Sequence, residues 1–164
     1  NREIPPLRYE VAYKLKRDFP DLHITINGGI ATHEQIQTHW QHVDAVMIGR
    51  EAWHNPWTLA YWDDYMDMVA EPQAHTTREQ VELAMIDYME YEHATYGTGW
   101  YPIARCMLGL RHGLRGARYW RQVWSDHRLK DTPAREVYAL AVQTYSPDDT
   151  PDAAYYQQQA KAKT

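Results

Sequence analysis

Apolar residues Leu7, Val11, Leu15 and Phe19 recur every four positions, which predicts an amphipathic helix. It begins near Pro5-Pro6, since proline suits a first helical turn, and ends at Pro20-Asp21. Leu22 to Ile26 then reads as a short buried strand. Thr32 followed three residues later by Gln35 is a capping-box signature, predicting a helix from about Thr32 to Trp40. Asp44 to Ile48 is a second short apolar strand. Helix, strand, helix and strand with short connections predict α/β units built on a parallel sheet.

After Arg50 the pattern becomes wholly helical. Asn55 as N-cap and Pro56 in the first turn start a helix that runs to about Val69. The polar stretch AEPQAHT, Ala70 to Thr76, is a candidate linker and domain boundary. Thr77 with Gln80 forms a second capping box, followed by Val81, Ala84, Met85, Tyr88 and Met89 at helical spacing. The stretch YGTGWYP ends that helix. Ile103, Met107, Leu110 and Leu114 mark another, Ala117 to His127 a further one, and Pro133 to Tyr145 the last. The tail from Ser146 is too polar and proline-rich to predict structure.

Composition changes this picture in two ways. With 44% hydrophobic and 13% aromatic residues in 164, the chain can fill one domain or two small ones, which excludes wholesale disorder. No apolar run approaches the ~20 residues of a membrane span, and no leader pattern opens the chain. An initial Asn1 rather than Met points to a fragment or a processed product. The single cysteine, Cys106, suits a reducing compartment, so a cytoplasmic protein is expected. The net charge of -5 argues against general nucleic-acid affinity. Yet Trp100 to Lys130 holds seven basic residues (Arg105, Arg111, Arg115, Arg118, Arg121, Arg128 and Lys130) against Asp126 alone. Such asymmetry suggests an anionic partner.

Both apolar strands end in glycine turns, Asn27-Gly28-Gly29 and Gly49-Arg50. Glycine lets backbone N–H groups approach a phosphate, and an adjacent arginine can pair with it. In (β/α)8 barrels the loops after the last two strands frequently build a phosphate site. A turn needing positive φ explains Gly-Gly equally well, and Arg50 also suits a solvated surface. Only two strands are legible, so a barrel would require further strands preceding Asn1.

Two longer segments carry a resemblance. NREIPPLRYEVAYKLKRDFPDLHITINGGI with VDAVMIGREAWHNPW, and then YPIARCMLGLRHGLRGARYWRQ, resemble the tRNA-dihydrouridine synthases, more narrowly the dihydrouridine synthase A subfamily. The resemblance extends to about Tyr145. It implies an α/β plus all-α chain: residues 1–70 as the end of an FMN-binding TIM barrel, 71–145 as a helical-bundle tRNA-binding domain, and 146–164 as a tail. It implies a flavoenzyme that uses FMN and NADPH to reduce D-loop uridines, at positions 20 and 20a, to dihydrouridine. It assigns Asn27, Gly28, Gly29, Gly49 and Arg50 to the FMN phosphate, and Arg2, Arg115 and Arg118 to tRNA. The family's general acid is a cysteine earlier in the barrel, so no catalytic residue is expected in this segment. The partner implied is tRNA, with no DNA, membrane or metal, and a monomer is expected.

The residues alone add a second argument for RNA. Arg111, Arg115 and Arg118 share a face if one helix continues through them, and Tyr119, Trp120 and Trp124 interleave with arginines. The same spacing fits a solvated face whose aromatics pack inward. Cys106 lies on the apolar stripe between Ile103 and Met107 and is expected to be buried. Nine scattered histidines show no ligand spacing, although His33 and His54 lie near the glycine turns. Asp63 to Asp67, DDYMD, reads as a solvated acidic helix face. Two rival functions share these features: a stand-alone helical RNA-binding module, and another FMN- or sugar-phosphate-binding barrel enzyme.

Overall fold

A computed structural model describes residues 6–71 and 73–143. The chain packs as two compact units, one ending at Trp53 and one beginning at His54. The packing break therefore precedes the Ala70 to Thr76 stretch.

In the first unit, α1 (Tyr9–Asp18) leads to β1 (Thr25–Asn27), α2 (His33–Trp40) and β2 (Ala45–Met47), and α3 (Arg50–His54) follows. The two strands pair in parallel, in the register Thr25↔Ala45, Ile26↔Val46 and Asn27↔Met47. Thr32 caps α2 through the reciprocal capping box with Gln35. Ile26, Ile30, Ile36 and Val43 form the buried apolar centre.

The periodicity of α1 is real, but its apolar stripe faces outward. Leu7, Val11, Leu15 and Phe19 are 42–54% exposed. A second stripe, Tyr9, Tyr13 and Lys16 at spacings of four and three, is the less exposed one. It works through polar tips. Lys16 Nζ reaches Asp44 Oδ1 at 2.8 Å and donates to the Pro20 and Leu22 carbonyls at 2.8 and 2.9 Å. Asp44 also accepts from Ile24 N at 2.8 Å. That backbone bond, followed by Lys16, holds the Asp44 carboxyl below the usual carboxylate range.

The second unit is helical. The helix expected from Asn55 to Val69 is instead a 3-10 turn, Pro56–Tyr61, followed by α4 (Trp62–Met66). It stops early because Met68 adopts a left-handed φ of 54°. Gln73 to His75 is no free linker: Asp64 accepts from Gln73 N at 2.8 Å and contacts His75 Nε2 at 2.6 Å. The Gln73 bond, with His75 second, lowers the Asp64 carboxyl's pKa. Asp64 is thus buried, which corrects its place on a solvated acidic face.

Thr77 and Gln80 cap the long α5 (Arg78–Tyr96). Ile86 and Met89 of α5 enter a core with Trp100, Met107, Trp120, Trp124 and Val137. The helix expected through Ile103 to Leu114 does not form as one piece. It is α6 (Trp100–Ala104), a 3-10 turn Arg105–Met107 and further turns. Then come α7 (Ala117–Trp124), another 3-10 turn His127–Leu129 and α8 (Ala134–Ala141). Gly109 sits in these turns against the His54 carbonyl and Pro56, where an added Cβ would clash. The tail from Ser146 lies outside the described residues.

Candidate functional site

The parallel register puts both glycine turns at one edge of the sheet. Asn27 pairs with Met47, so Gly28-Gly29 and Ile48-Gly49 both leave the carboxyl ends of neighbouring strands, which run ~4.8 Å apart. Gly28 at φ 137° and Gly29 at φ 64° occupy a region that L side chains rarely adopt. Arg50 is exposed and opens α3 (Arg50–His54), and Asn27 is also exposed.

The donors at this edge are selective. In the capping box of α2, Gln35 Oε1 accepts from Ala31 N and Thr32 N, while Thr32 Oγ1 accepts from Gln35 N. The start of that helix therefore satisfies part of its own demand. Among the described residues, no acceptor takes the N–H of Gly29, Gly49 or Arg50. Three backbone donors and one guanidinium at one sheet edge suit a phosphate-sized anion.

Sequence reasoning missed what lies behind the turn. Tyr9 donates its hydroxyl proton to the Gly28 carbonyl. Its ring meets His39 edge-on at 4.5 Å, and the Tyr13 hydroxyl lies 2.6 Å from His39 Nδ1. Tyr13 also stacks on His42 at 4.3 Å. The signal available was the Tyr9, Tyr13, Lys16 spacing beside the apolar stripe. His33 is half-buried with a bonding partner of its own, and His54 is exposed.

His39 is 5% exposed, and burial, with His42 second, lowers its pKa from the usual 6.5. Between that lowered value and 6.5 the unfolded chain binds more protons than the folded one. The stabilising contribution is complete above the usual value and is lost as pH falls through it toward the lowered value. The first unit should accordingly unfold at lower urea at about pH 5 than at about pH 7. His39→Gln should flatten that difference; an equally steep pH dependence in the variant would contradict it.

In the helical unit the basic run divides into distinct environments. Arg115 and Arg118 are exposed, Arg115 ahead of Gly116 and Arg118 in the first turn of α7. Arg111 does not share their face. It is buried, with Nε and Nη2 each 2.7 Å from the Glu82 carboxylate and the guanidinium 4.4 Å over the Trp120 ring. Trp120 and Trp124 are buried core residues, so neither offers a stacking surface, and Tyr119 is half-buried against the same core. Arg128 pairs with Asp126, whose carboxyl that bond draws down to about 2. Arg105, Arg118 and Arg121 are exposed without an acidic partner among the described residues. Cys106, expected to be buried, is exposed because the chain turns at Arg105–Met107 instead of continuing as a helix. Arg2 lies outside the described residues. No described helix is long and apolar enough to cross a membrane.

Known proteins match this chain along most of its length. The family model described as dihydrouridine synthase covers residues 1–145. A tRNA-dihydrouridine(20/20a) synthase of Shewanella oneidensis is 47% identical over 148 residues, covering 90% of this chain and 43% of that protein. Its namesake in a Synechocystis strain is 43% identical over 143 residues, covering 87% of this chain and 42% of the relative. One from Escherichia coli O6:H1 is 47% identical over 134 residues, 79% of this chain and 38% of the relative. The chain spans less than half the length of the curated relatives it matches. On these matches, the chain belongs to the dihydrouridine synthase family, in its dihydrouridine synthase A subfamily.

Proposed function

We propose that this chain is the cofactor-phosphate-gripping and RNA-holding part of a flavin-dependent tRNA-dihydrouridine synthase. The observation that carries the reading is the shared sheet edge of the two glycine turns, where the Gly29, Gly49 and Arg50 N–H groups have no described acceptor. Asn27, Gly28, Gly29, Gly49 and Arg50 would hold the phosphate of FMN. That donor set fits a phosphate: backbone amides at strand ends bind it without bulk, and a guanidinium neutralises it. When bound, the flavin supplies hydride exchange between NADPH and the C5–C6 bond of a tRNA uridine. The relatives' names suggest positions 20 and 20a as the uridines concerned.

This chain's residues then anchor and orient. Arg50 and the turn amides fix the phosphate end of the cofactor. Arg115 and Arg118, exposed on the helical unit, hold the tRNA backbone, and Arg2 joins them by family resemblance. No residue here is assigned the proton-donating role; exposed Cys106 lies in the helical unit, and the family's acid belongs to the barrel. The first 70 residues read as the end of a TIM barrel and residues 71–145 as the tRNA-binding domain.

The test is made in the complete synthase that carries this segment. Arg115→Ala with Arg118→Ala should weaken tRNA binding by at least tenfold and reduce the salt slope of log K by about 1.8 for two lost phosphate contacts. Unchanged affinity and an unchanged salt slope would refute the RNA role. A complete protein that purifies without flavin absorbance and gains none on FMN addition would refute the flavin reading.

A further inference from the structure

The Gly28–Gly29 peptide is held from one side only. The Tyr9 hydroxyl donates to the Gly28 carbonyl. Leu7 leans on the same turn: its methyl carbons lie 3.1 and 3.2 Å from where a Gly28 Cβ would sit. Tyr9 is itself braced, its ring edge-on to buried His39, which Tyr13 engages through Nδ1.

A trans peptide is planar, so its carbonyl and the following N–H point in opposite directions. Tying the Gly28 carbonyl to α1 therefore aims the Gly29 N–H away from α1. That N–H is one of the donors with no described acceptor. The constraint matters because glycine flanks both sides of this peptide, with φ of 137° and 64°. Two glycines leave the plane nearly free to rotate, and a flipped plane would present a carbonyl oxygen where an anion needs a donor.

We propose that Tyr9 is a positioning residue for the anion site: its hydroxyl locks the Gly28–Gly29 peptide so that the Gly29 N–H faces the phosphate. The inference rests on the reading of this turn as the FMN-phosphate site and adds the residue that sets its donor geometry. Tyr9 touches no ligand in this role. It acts through the peptide.

The experiment uses the complete synthase, stripped of flavin, with affinities for FMN and for riboflavin read from flavin fluorescence. Riboflavin lacks the phosphate, so it reports any general loosening of the fold. Tyr9→Phe removes the hydroxyl and keeps the ring against His39. FMN affinity should fall about tenfold, the size of one net hydrogen bond, while riboflavin affinity stays unchanged. An unaltered FMN affinity, or equal losses for both flavins, overturns the role of Tyr9. Arg50→Ala runs beside it and tests the underlying reading. If Arg50→Ala leaves the FMN-to-riboflavin ratio unchanged, the phosphate site itself is misplaced. A lowered ratio in Arg50→Ala with a normal one in Tyr9→Phe removes only the positioning role.

Discussion

Glu82→Ala is expected to destabilise the helical unit by about 3–5 kcal/mol, enough to bring many domains of this size close to unfolding. The reason is the charge left behind. Arg111 is 5% exposed at its side chain and Glu82 1%, so neither can turn to water when its partner goes. The Tyr138 hydroxyl, which donates to Glu82 Oε2 at 3.2 Å, would lose its acceptor as well. Burial, with Glu82 second, pushes the Tyr138 phenol up to about 12, which keeps it protonated as a donor to Glu82 in the intact protein. The informative comparison is the double variant Glu82→Leu with Arg111→Met, which removes both charges and should cost little or even stabilise. Urea denaturation of the two variants separates the outcomes. A mild loss in Glu82→Ala would mean that water reaches Arg111.

Gly109→Ala is the other substitution with a large expected cost. The added methyl would lie 2.6 Å from the His54 carbonyl carbon and 2.8 Å from Pro56 Cδ, and nearer still to the His54 oxygen. Backbone cannot swing aside as a side-chain tip does, so a penalty of about 3 kcal/mol is expected. Gly113 is the control. It also resists substitution, at φ 76°, but a Cβ there meets nothing within 4 Å. Gly113→Ala should therefore cost only the left-handed backbone term, about 1 kcal/mol. Similar losses for the two alanines in thermal or urea unfolding would show that close approach is not what keeps position 109 empty.

These two sites also mark where the sequence stopped being legible. The capping boxes at Thr32 and Thr77 were readable because they are local: three residues decide them, and both form as expected. The parallel strand pair followed from a different signal, the alternation of helix and strand patterns with short connections. Trp120 and Trp124 pack inward, as one reading of their spacing allowed, but Arg111 was not readable as core. An arginine's environment depends on a glutamate 29 residues away on α5, and helical spacing says nothing of such a partner. The apolar stripe of α1 carried the opposite lesson. Periodicity marks a face that favours burial without saying what covers it, and here Tyr9, Tyr13 and Lys16 hold the helix through polar tips on the other side. At the candidate phosphate site the glycines stood out in the sequence, whereas the buttress behind them did not. Its hydrogen bond joins residues 19 positions apart, and nothing in a tyrosine's spacing announces a carbonyl partner.

The Lys16 ammonium makes three contacts, to a carboxylate and two carbonyls, and has three protons to give. Its donors diverge from a single nitrogen, as a tripod does. A guanidinium spreads its donors in one plane and over a longer reach, so it can meet the carboxylate but not both carbonyls at once. Lysine and arginine, interchangeable over much of a protein surface, are therefore different instructions at position 16. Among variants that keep this connection between α1 and the sheet, an arginine there should be rare.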